Sequence, residues 1–144
     1  MSVWFAIPTA NPPQCSATFA KWKAKGYKTA CYTDGPVVPV ANCDLHLNAP
    51  TYDGYAICVN LLCRRILMHH PETEWIVTGG DDVWPSDADP HKIAAECREH
   101  FRGTLGVMQP TGDRHMVDGA GLCASERVTI SPWMGREWCR RAYM

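Results

Sequence analysis

The sequence lacks a long apolar run: no stretch reaches the ~18 residues that a membrane-crossing helix needs. It also lacks an excess of one charge. Fourteen Lys and Arg stand against fifteen Asp and Glu, for a net charge of −1, so bulk electrostatics indicates neither nucleic acid nor an anionic membrane surface as partner. No pair of its eight cysteines has C-x-x-C spacing, which leaves zinc ribbons and thioredoxin-like motifs unsupported. The first residues have no basic flank and too short an apolar stretch for a secretory signal. The expectation is therefore a cytoplasmic protein with all eight thiols reduced. There is no internal repeat and no low-complexity segment. With 46% hydrophobic and 20% charged residues in 144, the chain has ordinary globular composition and the length of one domain, 1–144.

Strand and helix patterns alternate along it. Residues 3–8 are a short apolar run ending in Thr9-Ala10-Asn11-Pro12-Pro13, a buried strand and its loop. Cys15, Phe19 and Trp22 recur at helical spacing, and Gly26 ends that helix. Thr29-Ala30-Cys31-Tyr32-Thr33 reads as a second strand closed by Asp34-Gly35-Pro36. This β-α-β unit implies a parallel pair with a right-handed crossover. Asp44-Leu45-His46-Leu47 has the look of a short strand. Tyr55, Cys58, Val59, Leu62 and Ile66 give a long helix, with Thr51 or Asp53 as its cap. Trp75-Ile76-Val77-Thr78 is a β-prone strand. Asp89-Pro90 opens a helix carrying Ile93, Cys97 and Phe101. Residues 104–109 read as another strand, 111–130 as loop, and Ser131-Pro132 as the start of a last helix with Met134, Trp138 and Arg140. The sum is a three-layer α/β domain with a mostly parallel sheet, in which ligands bind beyond the carboxyl ends of the strands.

Thr78-Gly79-Gly80-Asp81-Asp82 carries the most chemistry. Two adjacent carboxylates leave a buried strand at the ligand-binding edge, and two glycines let a phosphate or sugar approach the backbone. Paired carboxylates repel unless solvated or neutralised. Mg²⁺ or Mn²⁺ neutralises them and completes its shell with water and phosphate oxygens; an acidic turn open to water explains the same residues. Thr9, Ala10 and Asp34 follow the first two strands, and an acid after the second strand of such a domain often accepts from a ribose, although Asp-Gly-Pro is also a turn by itself. Gly54 at a helix start admits an anion, and Asn60 further along needs a partner where buried; a capped helix with a structural asparagine accounts for both. The paired His69 and His70 diverge on a helix and chelate poorly. Trp4, Trp22 and Trp75 read as core, Trp84 and Trp133 as stacking surfaces. Arg136, Arg140 and Arg141 suit either phosphate or a solvated helix face.

Strand, Thr9-Ala10, helix, strand, Asp34-Gly35, then Gly54-x-Ala56-x-x-x-Asn60, then a strand into Gly80-Asp81-Asp82: this order resembles the nucleotide-binding half of GT-A glycosyltransferases, and is most similar to the family 2-like group. The resemblance spans roughly residues 3–140. It implies a Rossmann-like, GT-A-like domain that binds a nucleotide-sugar donor and transfers the sugar to an acceptor of unknown identity. Thr9, Ala10 and Asp34 would hold base and ribose, with Gly54, Asn60 and Gly80 as further binding positions. Asp81 and Asp82 would match the Asp-x-Asp-type motif that places Mn²⁺ or Mg²⁺ on the diphosphate, and Trp133-Met134-Gly135-Arg136 the acceptor-side helix start. Here the motif is Asp81-Asp82-Val83, which leaves open which carboxylate meets the metal. The family's catalytic acid would follow the acceptor helix start; Glu137 or Asp113 would be the base. The chain is shorter than a usual GT-A domain, so a truncated or minimal form is expected. Two other classes stand beside this one. A nucleotide-sugar-binding module would lack turnover. A metal-dependent phosphohydrolase or nucleotidyltransferase would use Asp87 and Asp89 as extra ligands.

Overall fold

A computed structural model of the chain describes residues 1–110 and 131–143. It is an α/β structure with a six-stranded mixed sheet and four helices among those residues.

β1, Ser2–Pro8, is buried along almost its whole length, as its near-continuous apolar run requires of a central parallel strand. α1, Pro12–Ala24, starts where the Asn11 side chain accepts from the Gln14 N–H at 3.3 Å, with prolines in the first turn, where no intrahelical N–H is needed. β2, Lys28–Asp34, and β3, Leu45–Ala49, follow. α2, Tyr55–His69, takes Gly54 rather than Thr51 or Asp53 as its N-cap, with no side-chain capping bond. Gly54 has φ +97°, a conformation that a side chain at this position would resist. β4 is Thr73–Val77. The Asp89 side chain caps α3, Pro90–Phe101, by accepting from the His91 N–H at 2.7 Å. The expected strand over 104–109 shrinks to β5, Val107–Met108.

The expected helix start at 131–132 is replaced by β6, Trp133–Gly135, and α4 covers Arg136–Tyr143. Trp133 is accordingly buried at 3% exposure and offers no stacking surface. The strands lie in the order β3-β2-β1-β4-β6-β5. The first four run parallel, whereas β6 is antiparallel to both neighbours, pairing Trp133 with Val77 and Gly135 with Trp75. The sheet is thus mixed, with its parallel part on one side.

Side-chain alternation along β1 builds a core on each face. Val3, Phe5 and Ile7 meet α1 and α3 through Phe19, Trp22, Ala94 and Cys97. Trp4 and Ala6 meet α2 and α4 through Cys58, Leu62, Ile66 and Cys139. The Phe5 and Trp22 rings stack with centroids 3.8 Å apart. Each such large side chain, fully buried, contributes roughly 1.5–3 kcal/mol. No helix among the described residues is long and apolar enough to cross a membrane.

Candidate functional site

β1, β2 and β4 end on the same edge of the sheet, at Pro8, Asp34 and Val77. From β1 the chain winds outward through β2 and β3 on one side, then returns to place β4 on the other. The loops leaving β1 and β4 run side by side toward α1 and α3 on one face, whereas the chain leaving β3 enters α2 on the other, and a crevice opens above the strand ends between them. An open cleft of about 520 Å³ lies there, within the usual range for small-molecule sites. The β1 loop lines it with Pro8, Thr9 and Ala10, β2 with Asp34, the start of α2 with Tyr52 and Tyr55, and the β4 loop with Gly79, Gly80 and Asp81.

Thr9 and Asp81 tie the two sides together: the Thr9 hydroxyl donates to Asp81 Oδ2 at 2.6 Å and accepts from the Asn11 N–H at 3.0 Å. The β4 loop is also anchored from behind. The Thr18 hydroxyl donates to the Asp81 carbonyl, Trp22 Nε1 donates to the Val83 carbonyl at 2.8 Å, and the Val83 N–H closes a turn onto the Gly80 carbonyl at 3.2 Å. Tyr55 forms the opposite wall, its hydroxyl 2.8 Å from Thr78 Oγ1 and 3.2 Å from the Gly79 carbonyl. Burial raises its phenol pKa against the lowering effect of those bonds, so Tyr55 stays protonated at neutral pH. Among the described lining residues are two carboxylates, Asp34 and Asp81, and no lysine or arginine.

Of the residues expected from sequence, Thr9, Ala10, Asp34, Gly80 and Asp81 meet in this cleft. Asp82 sits on its rim: it is exposed and folds back over Gly80, where an added Cβ would lie 2.5 Å from its Oδ1. Gly54 and Asn60 do not line the cleft; Gly54 makes the turn between the two tyrosines that do, and Asn60 lies further along α2. Asp113 is outside the described residues.

Glu137 belongs elsewhere. Because β6 runs antiparallel to β4, the chain after Gly135 emerges where β4 begins, at the opposite end of the sheet from the cleft. There the Glu137 N–H donates to Thr104 Oγ1 at 3.3 Å, and Glu137 has no place in the cleft chemistry. Arg136 goes with it. Its guanidinium donates to the carbonyls of Pro71 and Thr73, both at 3.0 Å, and of His70 at 3.4 Å, closing the end of α2 rather than meeting phosphate. Trp84 is 66% exposed, lies under the Lys21 ammonium and is not part of the cleft wall. Asp87 pairs with Lys25 at 3.0 Å and Asp89 caps α3, so neither joins Asp81. No group of three or more metal-ligating side chains occurs among the described residues.

Tyr52 and Tyr55 are the cleft residues that pattern reading passes over. Their signal was two aromatics flanking a glycine just after a strand, Tyr52 ahead of α2 and Tyr55 in its first turn, where it is 45% exposed rather than part of the core its helical spacing suggests. The sequence matches no family model and no curated protein.

Proposed function

We propose that the cleft binds a nucleotide-diphosphate sugar through Mn²⁺ or Mg²⁺, and that the protein acts on this donor as a glycosyltransferase with a Rossmann-like, GT-A-like domain. One observation carries the reading: Thr9 and Asp81, from the loops leaving β1 and β4, are joined at 2.6 Å within a cleft beyond the carboxyl ends of the parallel strands that also holds Asp34 and Gly80. In open α/β sheets this is where nucleotides bind.

The donor set suits a hard cation. The cleft holds carboxylates and no basic side chain, so a diphosphate entering alone would meet only repulsion. Asp81, with Asp82 at the rim, would hold Mn²⁺ or Mg²⁺ by one or two carboxylates, a mode in which the remaining ligands are water and phosphate. When bound, such an ion offsets the charge of the diphosphate and of the departing nucleoside diphosphate. Asp34 accepts from ribose hydroxyls. The Tyr52 and Tyr55 rings supply apolar wall, and Gly79 and Gly80 let the diphosphate lie close to the backbone.

With Glu137 at the far end of the sheet, Asp34 and Asp81 are the only carboxylates of the described cleft lining, and both serve the donor. This favours, as a second reading, a module that binds the nucleotide sugar without turnover. A two-metal phosphohydrolase is disfavoured by the placement of Asp87 and Asp89.

A thermal-shift panel of nucleotides and nucleotide sugars, with and without Mn²⁺, tests the reading. A ligand at 100 times its Kd stabilises by about 2.7 kcal/mol, so a nucleotide sugar should raise Tm by several degrees only when Mn²⁺ is present, and Asp81→Asn should abolish the shift. Equal shifts with and without metal, or in the Asn variant, would overturn it. Release of nucleoside diphosphate separates transferase from binding module.

A further inference from the structure

On the sheet face away from α2, three thiols converge. Cys31 on β2 is fully buried, Cys15 on α1 is fully buried, and Cys43, in the irregular segment between β2 and β3, is partly exposed. The Cys31 and Cys43 sulfurs are 3.4 Å apart, and the Cys43 thiol also donates to the Leu45 carbonyl at 3.0 Å.

We propose that Cys31 and Cys43 are a redox-active dithiol that closes to an intramolecular disulfide when the protein meets a small-molecule disulfide. The geometry suits the reaction. A disulfide needs sulfurs ~2.05 Å apart, so closure asks for about 1.4 Å of movement, and Cys43 stands outside regular strand structure, where such movement disturbs no strand pairing. Exposure assigns the roles. Cys43 is the sulfur a reagent reaches, and Cys31 is the buried resolving thiol behind it. Acidity agrees: hydrogen bonding from Cys31 lowers the Cys43 pKa, whereas hydrogen bonding with Cys15 and Cys43, together with burial, raises that of Cys31.

With oxidised glutathione the chemistry balances. The Cys43 thiolate attacks one sulfur of glutathione disulfide, forming a mixed disulfide and releasing one glutathione thiolate, which takes up a proton. Cys31 then loses its proton and attacks Cys43 Sγ, expelling the second glutathione thiol. Two protein thiols are oxidised and one glutathione disulfide is reduced to two glutathiones. The bridge ties the 35–44 segment to β2, whose last residue, Asp34, lines the cleft. A second thiol pair, Cys63 and Cys139, also hydrogen-bonded, is fully buried on both sides and is the internal control, because no sulfur of it is open to attack.

The test incubates the full chain with oxidised glutathione, blocks remaining thiols with iodoacetamide in denaturant, and digests with trypsin and Asp-N. Cleavage after Lys28 and before Asp34 and Asp44 separates residues 29–33 from 34–43. The expected product is these two peptides joined by one disulfide, with Cys63 and Cys139 alkylated and Tm raised by roughly 9 °C from the loop closed in the unfolded state. Cys43→Ala should lose the bridge and Cys15→Ala should keep it. A stable glutathione adduct on Cys43 without bridging, a Cys15–Cys31 bridge, or oxidation of Cys63 and Cys139 first would each overturn the proposal.

Discussion

Replacing Thr9 by valine removes one hydroxyl at nearly constant volume and tests how the cleft is held together. The hydroxyl donates to Asp81 Oδ2 at 2.6 Å and accepts from the Asn11 N–H at 3.0 Å, and Thr9 is buried at 7% exposure. A hydrogen bond to a carboxylate contributes about 1.5–3 kcal/mol. Asp81 is only half-buried, so water replaces part of the lost bond, and the expected cost is about 1–2 kcal/mol, or a fall in Tm of roughly 3–6 °C. Asp81→Asn retains an amide oxygen that can accept from Thr9, so it should cost less, under about 1 kcal/mol. Because the amide keeps part of the bond, the double variant should be less destabilised than the sum by no more than Asp81→Asn itself costs, under about 1 kcal/mol. Urea denaturation of the wild type, both single variants and the double variant measures this. A Thr9→Val protein as stable as the wild type would refute the claim that this pair fastens the β1 loop to the β4 loop.

Two further expectations concern the frame around the cleft. Gly135→Ala would place a Cβ 2.1 Å from the Thr104 carbonyl oxygen and 3.1 Å from the Trp75 ring; backbone cannot yield as a side-chain tip can, so the variant should lose about 3 kcal/mol, visible as a depressed circular-dichroism melt, and an unchanged melt would contradict the close seating of β6. Acid should weaken the fold. Lys28, bonded to Glu72 at 2.8 Å, lowers the Glu72 carboxyl to about 2, and at Asp44 burial raises the carboxyl but is outweighed by bonds from Lys23 and the Thr29 N–H, leaving it lowered. Folded-state values below the unfolded ~4 mean stability that is complete above pH ~5 and lost as pH falls toward ~2; because Glu72 is exposed, salt should shrink its part. A melting temperature flat from pH 5 to 2 would contradict these pairings.

Most of the parallel half was readable because its signals are local. Asp89 with Pro90, and the helical spacing of Cys15, Phe19 and Trp22, each mark an element within a few residues of sequence, whereas Asn11-Pro12-Pro13, which reads as loop, opens α1. β6 was not readable for the opposite reason. Ser131-Pro132 has the chemistry of a helix start, and a three-residue strand is too short to show alternation; Trp133–Gly135 is a strand because β4 and β5 stand on either side of it. That single difference moves the acidic candidate: an antiparallel strand delivers the chain to the opposite edge, so Glu137 leaves the cleft and Arg136 becomes a cap for carbonyls more than sixty residues away in sequence. In the cleft, the β1 and β4 loops were legible from Thr9 and the Gly-Gly-Asp-Asp turn. The tyrosine wall was not, because Tyr55 fits the helical spacing of the α2 core residues and Tyr52 lies in a short turn with no periodicity, while both line the cleft.

The most direct measurement is calorimetric titration of the protein with UDP-sugars and other nucleotide sugars, in Mn²⁺ and again in chelator, for the wild type and Asp81→Asn. The wild type should give a binding heat only in Mn²⁺, with none in chelator and none for Asp81→Asn. A nucleotide sugar that binds as tightly without metal, or to the variant, would contradict this.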